Sequence, residues 1–182
     1  DMLLQPYESS WEEIFLEYIA DFFGFHLRLA GGEEDSITRE QAREDLEKWL
    51  TPPQQLYAIT WEKEPAGFLH MDFQGSNVAW IKDIYLSPPY RGRGIASRAI
   101  GEAEKLVSGR NGYTALCIEV APRNTHALKL YHSLGFDTLS MVTVRKNFDS
   151  GSKDESEKAE RLDSSGESCG EEGQLSGMTF RL

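Results

Sequence analysis

An α+β domain, with a mixed and mostly antiparallel sheet flanked by helices, is the fold class that this sequence predicts. Three observations carry that expectation. Residues 55–61, 66–73 and 77–86 are rich in apolar, β-branched and aromatic side chains and are separated only by Glu-Lys-Glu-Pro and Gln-Gly-Ser. Such links are too short for crossover helices, so the three runs read as an antiparallel meander. Apolar residues recur at helical spacing both before and after the meander. The chain has 182 residues, 40% hydrophobic and 11% aromatic, enough to bury a core around one sheet.

In chain order, residues 2–7 read as a short first strand. Ser10 and Glu13 have the spacing of a capping box, and Ile14, Phe15, Tyr18, Ile19 and Phe22 follow at helical intervals. Gly24, Gly31 and Gly32 then break the pattern in a loop expected to carry His26 and the acids Glu33, Glu34 and Asp35. A second helix starts near Thr38, with Gln41 in the capping-box position. It presents Ala42, Leu46, Trp49 and Leu50 and stops at Pro52-Pro53. The meander comes next.

After Pro88-Pro89, residues 94–108 read as a helix with Ile95, Ala99, Ala103 and Leu106 along one stripe, and 114–120 as a strand. Residues 124–134 read as a helix with Ala127, Leu130, Tyr131 and Leu134 on one face, closed by Gly135. Residues 136–148 read as a long strand and 177–182 as a short closing one. The expected order is β-α-α-β-β-β-α-β-α-β-β, in a single domain spanning residues 1–182.

Charge is uneven. The net charge is −11, and residues 149–177 hold nine acidic against three basic residues, a local −6. That stretch has almost no apolar side chains to offset the entropy of ordering, so 149–176 is expected to be a mobile acidic loop between the last two strands. The acidic balance argues against a nucleic-acid partner, which needs a basic footprint. It leaves room for a cationic acceptor, although net negative charge also simply keeps a protein soluble. No apolar run approaches the roughly 18 residues that span a bilayer, and the N-terminus lacks the features of a signal peptide. With only Cys117 and Cys169, there is no disulfide framework. A reducing, cytoplasmic setting without membrane attachment is expected, with a homodimer left open.

The most informative stretch is the strand that ends at Leu86, runs through Ser-Pro-Pro-Tyr, and turns at Arg91-Gly92-Arg93-Gly94 into a helix beginning with Ile95, Ala96 and Ser97. Glycines let backbone N–H groups converge on an anion with no Cβ in the way. A helix N-terminus adds unpaired donors and partial positive charge. Arg91 and Arg93 supply positive charge beside them, so the turn suits a phosphate or diphosphate. An arginine-rich surface turn is the plainer reading. A dinucleotide-binding turn is disfavoured because Ser97 replaces the third glycine, three antiparallel strands precede it, and two prolines interrupt the connection.

Arg91-x-x-Gly94-x-Ala96 resembles the Arg/Gln-x-x-Gly-x-Gly/Ala signature of the GCN5-related N-acetyltransferase (GNAT) superfamily. The downstream Glu119-Val-Ala-Pro-Arg-Asn124-x-x-Ala127-x-x-Leu130-Tyr131-x-x-x-Gly135-Phe136 is similar to that superfamily's second hallmark, in the right order and spacing. The resemblance covers roughly residues 2–148 plus the final strand. It implies that acetyl-coenzyme A lies where the fourth and fifth strands splay apart. The main chain of Gly92, Arg93, Gly94 and Ala96, with neighbours Ile95 and Ser97 and the Arg91 side chain, is then expected to hold the diphosphate. The strand segment Ile84-Tyr85-Leu86 is expected to bond the pantetheine arm through its backbone, the Ile84 N–H polarising the thioester carbonyl. Asn124 matches a position that contacts the cofactor arm, and it also suits an ordinary helix N-cap. Tyr131 matches a tyrosine near the sulfur that can protonate the leaving thiolate. Its other reading is a core aromatic.

The implied reaction is transfer of an acetyl group to a primary amine of a small molecule or peptide. It requires a neutral amine. A lysine-like amine with a pKa of ~10.4 is only about one part in a few thousand neutral at pH 7, a deficit of roughly 4–5 kcal/mol. A base or an ordered water must therefore remove the proton, and carboxylates are the natural candidates. Glu119 comes first, twelve residues before Tyr131, a spacing that resembles the acid–base pair of ribosomal-protein N-terminal acetyltransferases. A solvent-facing strand residue is the equal alternative. Asp83, beside the presumed oxyanion donor, comes second. The histone-acetylating branch keeps a glutamate four positions before the residue matching Ile84, and here that position is Trp80. Arg145-Lys-Asn-Phe148 and the final Gly177-Met-Thr-Phe-Arg-Leu182 also resemble the N-terminal acetyltransferases, but their His-x-x-Pro-Trp segment has no counterpart, and 149–177 is a long insertion.

His26, His70, His126 and His132 show no paired metal-ligand spacing, so no metal is expected. Cys117 lies in an apolar strand and reads as a structural thiol, which favours direct attack by the amine over an acetyl-enzyme. A non-catalytic acyl-coenzyme A-binding sensor is the alternative class.

Overall fold

The computed structural model describes residues 3–29, 38–75, 77–140, 172–175 and 178–181. Its elements are β1 (Leu4–Pro6), a 3-10 turn (Ser9–Trp11), α1 (Glu12–Leu29), α2 (Arg39–Trp49), β2 (Gln54–Trp61), β3 (Glu64–Asp72), β4 (Val78–Leu86), a second 3-10 turn (Pro88–Tyr90), α3 (Ile95–Ser108), β5 (Ala115–Ile118), α4 (Thr125–Ser133), β6 (Glu172–Leu175) and β7 (Met178–Arg181). The chain divides into two units, Asp1–Phe136 and Asp137–Leu182.

The first unit holds a five-stranded sheet in the order β1-β2-β3-β4-β5. Every neighbouring pair is antiparallel except β4 and β5, which are parallel. The meander is therefore real. Its first link is a two-residue turn in which Glu62 and Lys63 both take positive φ (51° and 72°), the backbone that matches the twist of a hairpin even without glycine.

Two cores, one on each face, hold the sheet. Alternate residues of β3 divide between them: Leu69 and Met71 pack with Ile95, Ala99 and Ile100 of α3, while Phe68 packs with Phe15, Ile19 and Phe22 of α1 and Trp49 of α2. With both faces covered, β3 loses polar alternation and is buried from Pro65 to Met71. Each fully buried Leu, Ile or Phe contributes about 1.5–3 kcal/mol relative to exposure, so this double layer dominates the stability of the unit.

The helix ends follow local chemistry where the sequence provides it. Thr38 and Gln41 form a reciprocal capping box on α2, and Asn124 caps α4 by accepting the Ala127 N–H. The entry to α1 differs from expectation. The chain enters through the 3-10 turn, and Glu13 pairs with Arg39 of α2. Helix α1 also passes through Gly24 and runs on to Leu29. The cost of an interior glycine, about 1 kcal/mol, is countered by contacts around it: the rings of Phe22 and His26 meet across it at 4.4 Å, and Phe22 packs on Phe68 of β3. His26 thus belongs to the last turns of a helix rather than to a loop.

Two further corrections concern the end of the chain. Of residues 136–140, Thr138 forms a β-bridge, and the rest of the expected strand, 141–148, lies outside the described residues, as do Glu33, Glu34 and Asp35. Residues 172–175, expected in the acidic loop, form β6, which pairs antiparallel with β7 over four residue pairs. Residues 149–171 lie outside the described residues.

Candidate active site

The site is built by an irregularity in β4. Met71 of β3 stands opposite Ile81, yet His70 stands opposite Asp83, so Lys82 is an extra residue, a β-bulge. A bulge reverses the parity of everything beyond it. Before it, Ala79 and Ile81 face the core under α3; beyond it, Ile84 and Leu86 pack on that face while Tyr85 joins the core under α1 and α2. Asp83 shares the parity of Tyr85 and meets His70 on the α1/α2 side.

Beside the bulge, β4 loses its parallel neighbour. Pairing runs from Val78↔Ala115 to Ile81↔Ile118, and one last bond follows, the Glu119 N–H to the Ile81 carbonyl at 3.3 Å. Among the described residues, the outer half of β4 has a ladder partner on its β3 side alone. Ser87 N–H donates to Ala66 O across β3 at 2.9 Å, so by strand alternation the N–H groups of Leu86 and Ile84 point to the open side. Gly67 permits the tight approach of β3 and β4 here: a Cβ at that position would stand 2.0 Å from the Tyr85 carbonyl oxygen.

The chain then passes the 3-10 turn and reaches Gly92 and Gly94, both at φ +72°. No atom lies within 4 Å of where a Cβ would stand on either, so backbone conformation rather than crowding demands glycine. No side chain caps α3. The Arg91 side chain does not lie over this turn. Its Nε–H donates to Leu86 O at 2.8 Å, its guanidinium sits 5.6 Å from the centre of the Tyr85 ring, and an amino group stands 3.9 Å from Asp21. Tyr85 in turn donates to Asp21.

A cavity of about 560 Å³ occupies the gap between the diverging strands. It is lined from one face by Phe22, Phe25 and His26 of α1 and from the other by α3 and α4. Asp83, Ile84, Tyr85, Leu86, Arg91, Gly92, Gly94, Ile95, Ala96, Ser97, Glu119, Asn124 and Tyr131 all line it. Of the residues expected at the site, Arg93 is the one outside the lining; it is exposed in the turn. Tyr131 is 8% exposed and packs edge-on against Phe136, and burial pushes its phenol up to about 12.

The two candidate carboxylates differ in surroundings. Glu119 lies one residue past the end of β5 and is ion-paired with Lys82 at 2.5 Å, its side chain half exposed. Asp83 is 22% exposed, and one oxygen lies 2.6 Å from His70 Nδ1. His26, on the cavity wall, is held below its ordinary pKa by burial, an effect partly countered by the charge of Asp83.

Several residues of the site escape a reading by motif. Phe22 reads only as part of a helix stripe, and Phe25 falls where a loop is expected. His126 lies two residues past the N-cap without a signal of its own, and His70, the partner of Asp83, is embedded in an apolar strand. Only the strand register brings His70 to Asp83. Among the described residues no three metal-ligating side chains cluster, and no helix is long and apolar enough to cross a membrane.

Comparison with known proteins gives a consistent result. The family model described as acetyltransferase (GNAT) family matches residues 11–136. A thialysine N-epsilon-acetyltransferase of Bos taurus is 33% identical over 73 residues, 40% of this chain and 42% of that protein. An N-acetyltransferase of Bacillus subtilis, YycN, described as uncharacterized, is 26% identical over 154 residues, 80% of this chain and 98% of its own. The crystal structure of YycN superposes with a TM-score of 0.62 at 23% identity, covering 80% of this chain and 98% of that one. An aminoglycoside 6'-N-acetyltransferase of Acinetobacter haemolyticus shares the fold, with a TM-score of 0.60 at 18% identity over 81% of this chain and all of its own.

Proposed function

The chain belongs to the acetyltransferase (GNAT) family, and from that premise we propose that it transfers an acetyl group from acetyl-coenzyme A to a primary amine by direct attack on the thioester. The observation that carries the reading is a juxtaposition. One cavity is lined by the open edge of β4, the glycine turn with the uncapped start of α3, and the largely buried Tyr131. Family members generally use acetyl-coenzyme A as co-substrate, and it supplies the activated acyl group.

The residues present suit that molecule. Backbone N–H groups of the turn and of the first residues of α3 form an anion site for its diphosphate, with space for close approach at Gly92 and Gly94. The free N–H groups of Ile84 and Leu86 offer strand-like bonds to an amide-containing arm. Ile84 is the donor for the developing oxyanion, a role typically contributing about 2.7–4 kcal/mol in other enzymes. Arg91, tied to Leu86 O and the Tyr85 ring, acts by bracing the turn against the strand end, with Arg93 the freer cation beside the phosphates.

The amine enters from the α1 side, past Phe22, Phe25 and His26. Asp83 takes its proton. Glu119 is the weaker candidate because Lys82 already neutralises it. As the carbon–sulfur bond breaks, Tyr131 gives its proton to the sulfur; a phenol pushed up to about 12 is protonated at neutral pH. A lysine-like amine on a small molecule or peptide is the acceptor we favour, since a relative is named for thialysine. The free thiol of Cys117 fits the cytoplasmic setting we assign.

The experiment is thiol release from acetyl-coenzyme A across thialysine, spermidine, an aminoglycoside and short peptides, with the acetylated product identified by mass. Turnover of at least one of these amines is expected. Binding of acetyl-coenzyme A with no turnover of any amine, polyamines and free amino acids included, would leave a binding module in its place.

A further inference from the structure

His70 is a buried polar side chain, 4% exposed, in a strand whose neighbours Phe68, Leu69 and Met71 are wholly buried and apolar. Its ring stacks on Trp49 of α2, centroids 4.4 Å apart and planes 17° from parallel. Both nitrogens are engaged: Nδ1 lies 2.6 Å from Asp83 Oδ2 and Nε2 lies 2.5 Å from Gln54 Oε1. Burying an imidazole is costly unless its nitrogens are satisfied, and an aliphatic side chain would fill the same space without that demand. The contact with Asp83 also depends on the extra residue at Lys82, which turns Asp83 onto the face where His70 lies.

A nitrogen and a carboxylate oxygen at 2.6 Å share a proton, so Nδ1–H donates to Asp83 whichever way the Gln54 amide is turned. Gln54 on β2 and the Trp49 ring stop the imidazole from rotating. One oxygen of Asp83 is thereby fixed, and the residue, 22% exposed, lines the cavity.

We propose that His70 is a positioning residue for proton removal from the acceptor amine, holding Asp83 in the orientation in which its second oxygen meets the incoming ammonium. The inference rests on the acetyl-transfer reading above. In that step the ammonium proton passes to the second oxygen of Asp83, and the freed lone pair forms the new C–N bond. The C–S bond then breaks, and its electron pair takes the proton from Tyr131. The nitrogen of the adduct, which still carries two hydrogens, gives one of them through solvent water to the Tyr131 phenolate. Asp83 gives its proton to solvent, so the ammonium and the thioester yield the amide, the free thiol and one released proton. Alignment of a catalytic base by a buried hydrogen-bonded partner is a general device, because misplacement of a reacting group by about 1 Å can cost on the order of 100-fold in rate.

The test is steady-state kinetics of the full chain with acetyl-coenzyme A and whichever of thialysine, spermidine or a short peptide the wild type turns over fastest. His70→Leu is expected to lower kcat at least 30-fold while leaving KM for acetyl-coenzyme A within about twofold. His70→Asn, whose Nδ2–H stands where Nδ1–H does, is expected to recover at least tenfold of that loss. His70→Gln, whose donor falls at the other ring nitrogen, should not. In an Asp83→Asn background His70→Leu is expected to cost nothing further. Were His70→Leu not to fold, the Asn-against-Gln comparison and its Asp83→Asn counterpart would decide the matter. Equal rates for His70→Asn and His70→Gln, multiplying losses in the double variant, or a His70→Leu rate within threefold of wild type would each overturn the inference and leave the acetyl-transfer reading standing. A wild type that binds acetyl-coenzyme A yet turns over no amine would overturn both.

Discussion

Lys82 and Glu119 form an ion pair of 2.5 Å across the point where β4 and β5 part. Lys82 is the bulge residue of β4, and Glu119 is the first residue past the β5 ladder. The pair thus marks the last place at which the two strands are joined before the cavity opens, and it occupies the carboxylate that the Glu119-to-Tyr131 spacing singles out as a base.

A carboxylate held by a lysine and half in water is poorly placed to draw a proton from a second ammonium. Glu119→Gln is therefore expected to lower kcat less than tenfold, and Asp83→Asn at least 100-fold, both with acetyl-coenzyme A affinity retained. Steady-state rates together with calorimetric titration check this. The reverse ranking would move the base to Glu119.

Arg91 links the glycine turn to the strand end through Leu86 O and the Tyr85 ring. Arg91→Ala is expected to weaken acetyl-coenzyme A binding by roughly tenfold or more in calorimetry. Arg91→Lys should not restore it, because a lysine ammonium cannot bond Leu86 O and cover the ring as a planar guanidinium does. Affinity unchanged in both variants would remove Arg91 from the site.

The two kinds of glycine should respond differently to alanine. At Gly67 the new Cβ meets backbone oxygen at 2.0 Å, and neither strand can yield without breaking the β3–β4 ladder. About 3 kcal/mol or more of stability should be lost in urea unfolding. At Gly94 the space is open and only the φ of +72° is strained, so the loss should be about 1 kcal/mol. Acetyl-coenzyme A binding should nevertheless fall, because the added methyl stands on the anion's approach.

Tyr131→Phe is expected to reduce kcat by at least tenfold with acetyl-coenzyme A affinity nearly unchanged. It also has a signature in stability. Burial lifts the phenol from 10.0 in the unfolded chain to about 12 in the folded one, so between those values the folded state holds a proton that the unfolded state has lost. That stabilisation is fully present below pH 10 and disappears as pH rises through 12, a contribution of about 2–3 kcal/mol. Alkaline unfolding between those limits should be shallower in Tyr131→Phe. It should not vanish, since burial also raises Tyr18, Tyr57 and Tyr85.

Much of the architecture was legible because short-range chemistry specifies it. Thr38 and Gln41 announce a capping box, Asn124 an N-cap, and the links of four and three residues in the meander leave no room for a crossover. Gly24 misled for the converse reason: its local preference is to break a helix, and the contacts that hold this part of α1, such as Phe22 with Phe68 of β3 and Phe23 with Trp49 of α2, come from packing that a propensity does not contain. Glu119 drew attention by its spacing from Tyr131, but spacing says nothing of Lys82, thirty-seven positions away in sequence, which neutralises it.

By itself, the sequence determined the sheet-and-helix order through residue 135, the glycine turn that opens α3, and the positions of Tyr131 and Asn124 on one helix, because each depends on neighbours within a few residues. The tertiary structure alone decided where the ladder between β4 and β5 ends, which face of the sheet Asp83 occupies, and that a histidine buried in β3 is its partner. Those outcomes turn on a single extra residue at Lys82 and on the register it sets. A side-chain period of two makes register all-or-none, so a shift of one position exchanges the two faces of a strand, and no local composition records it.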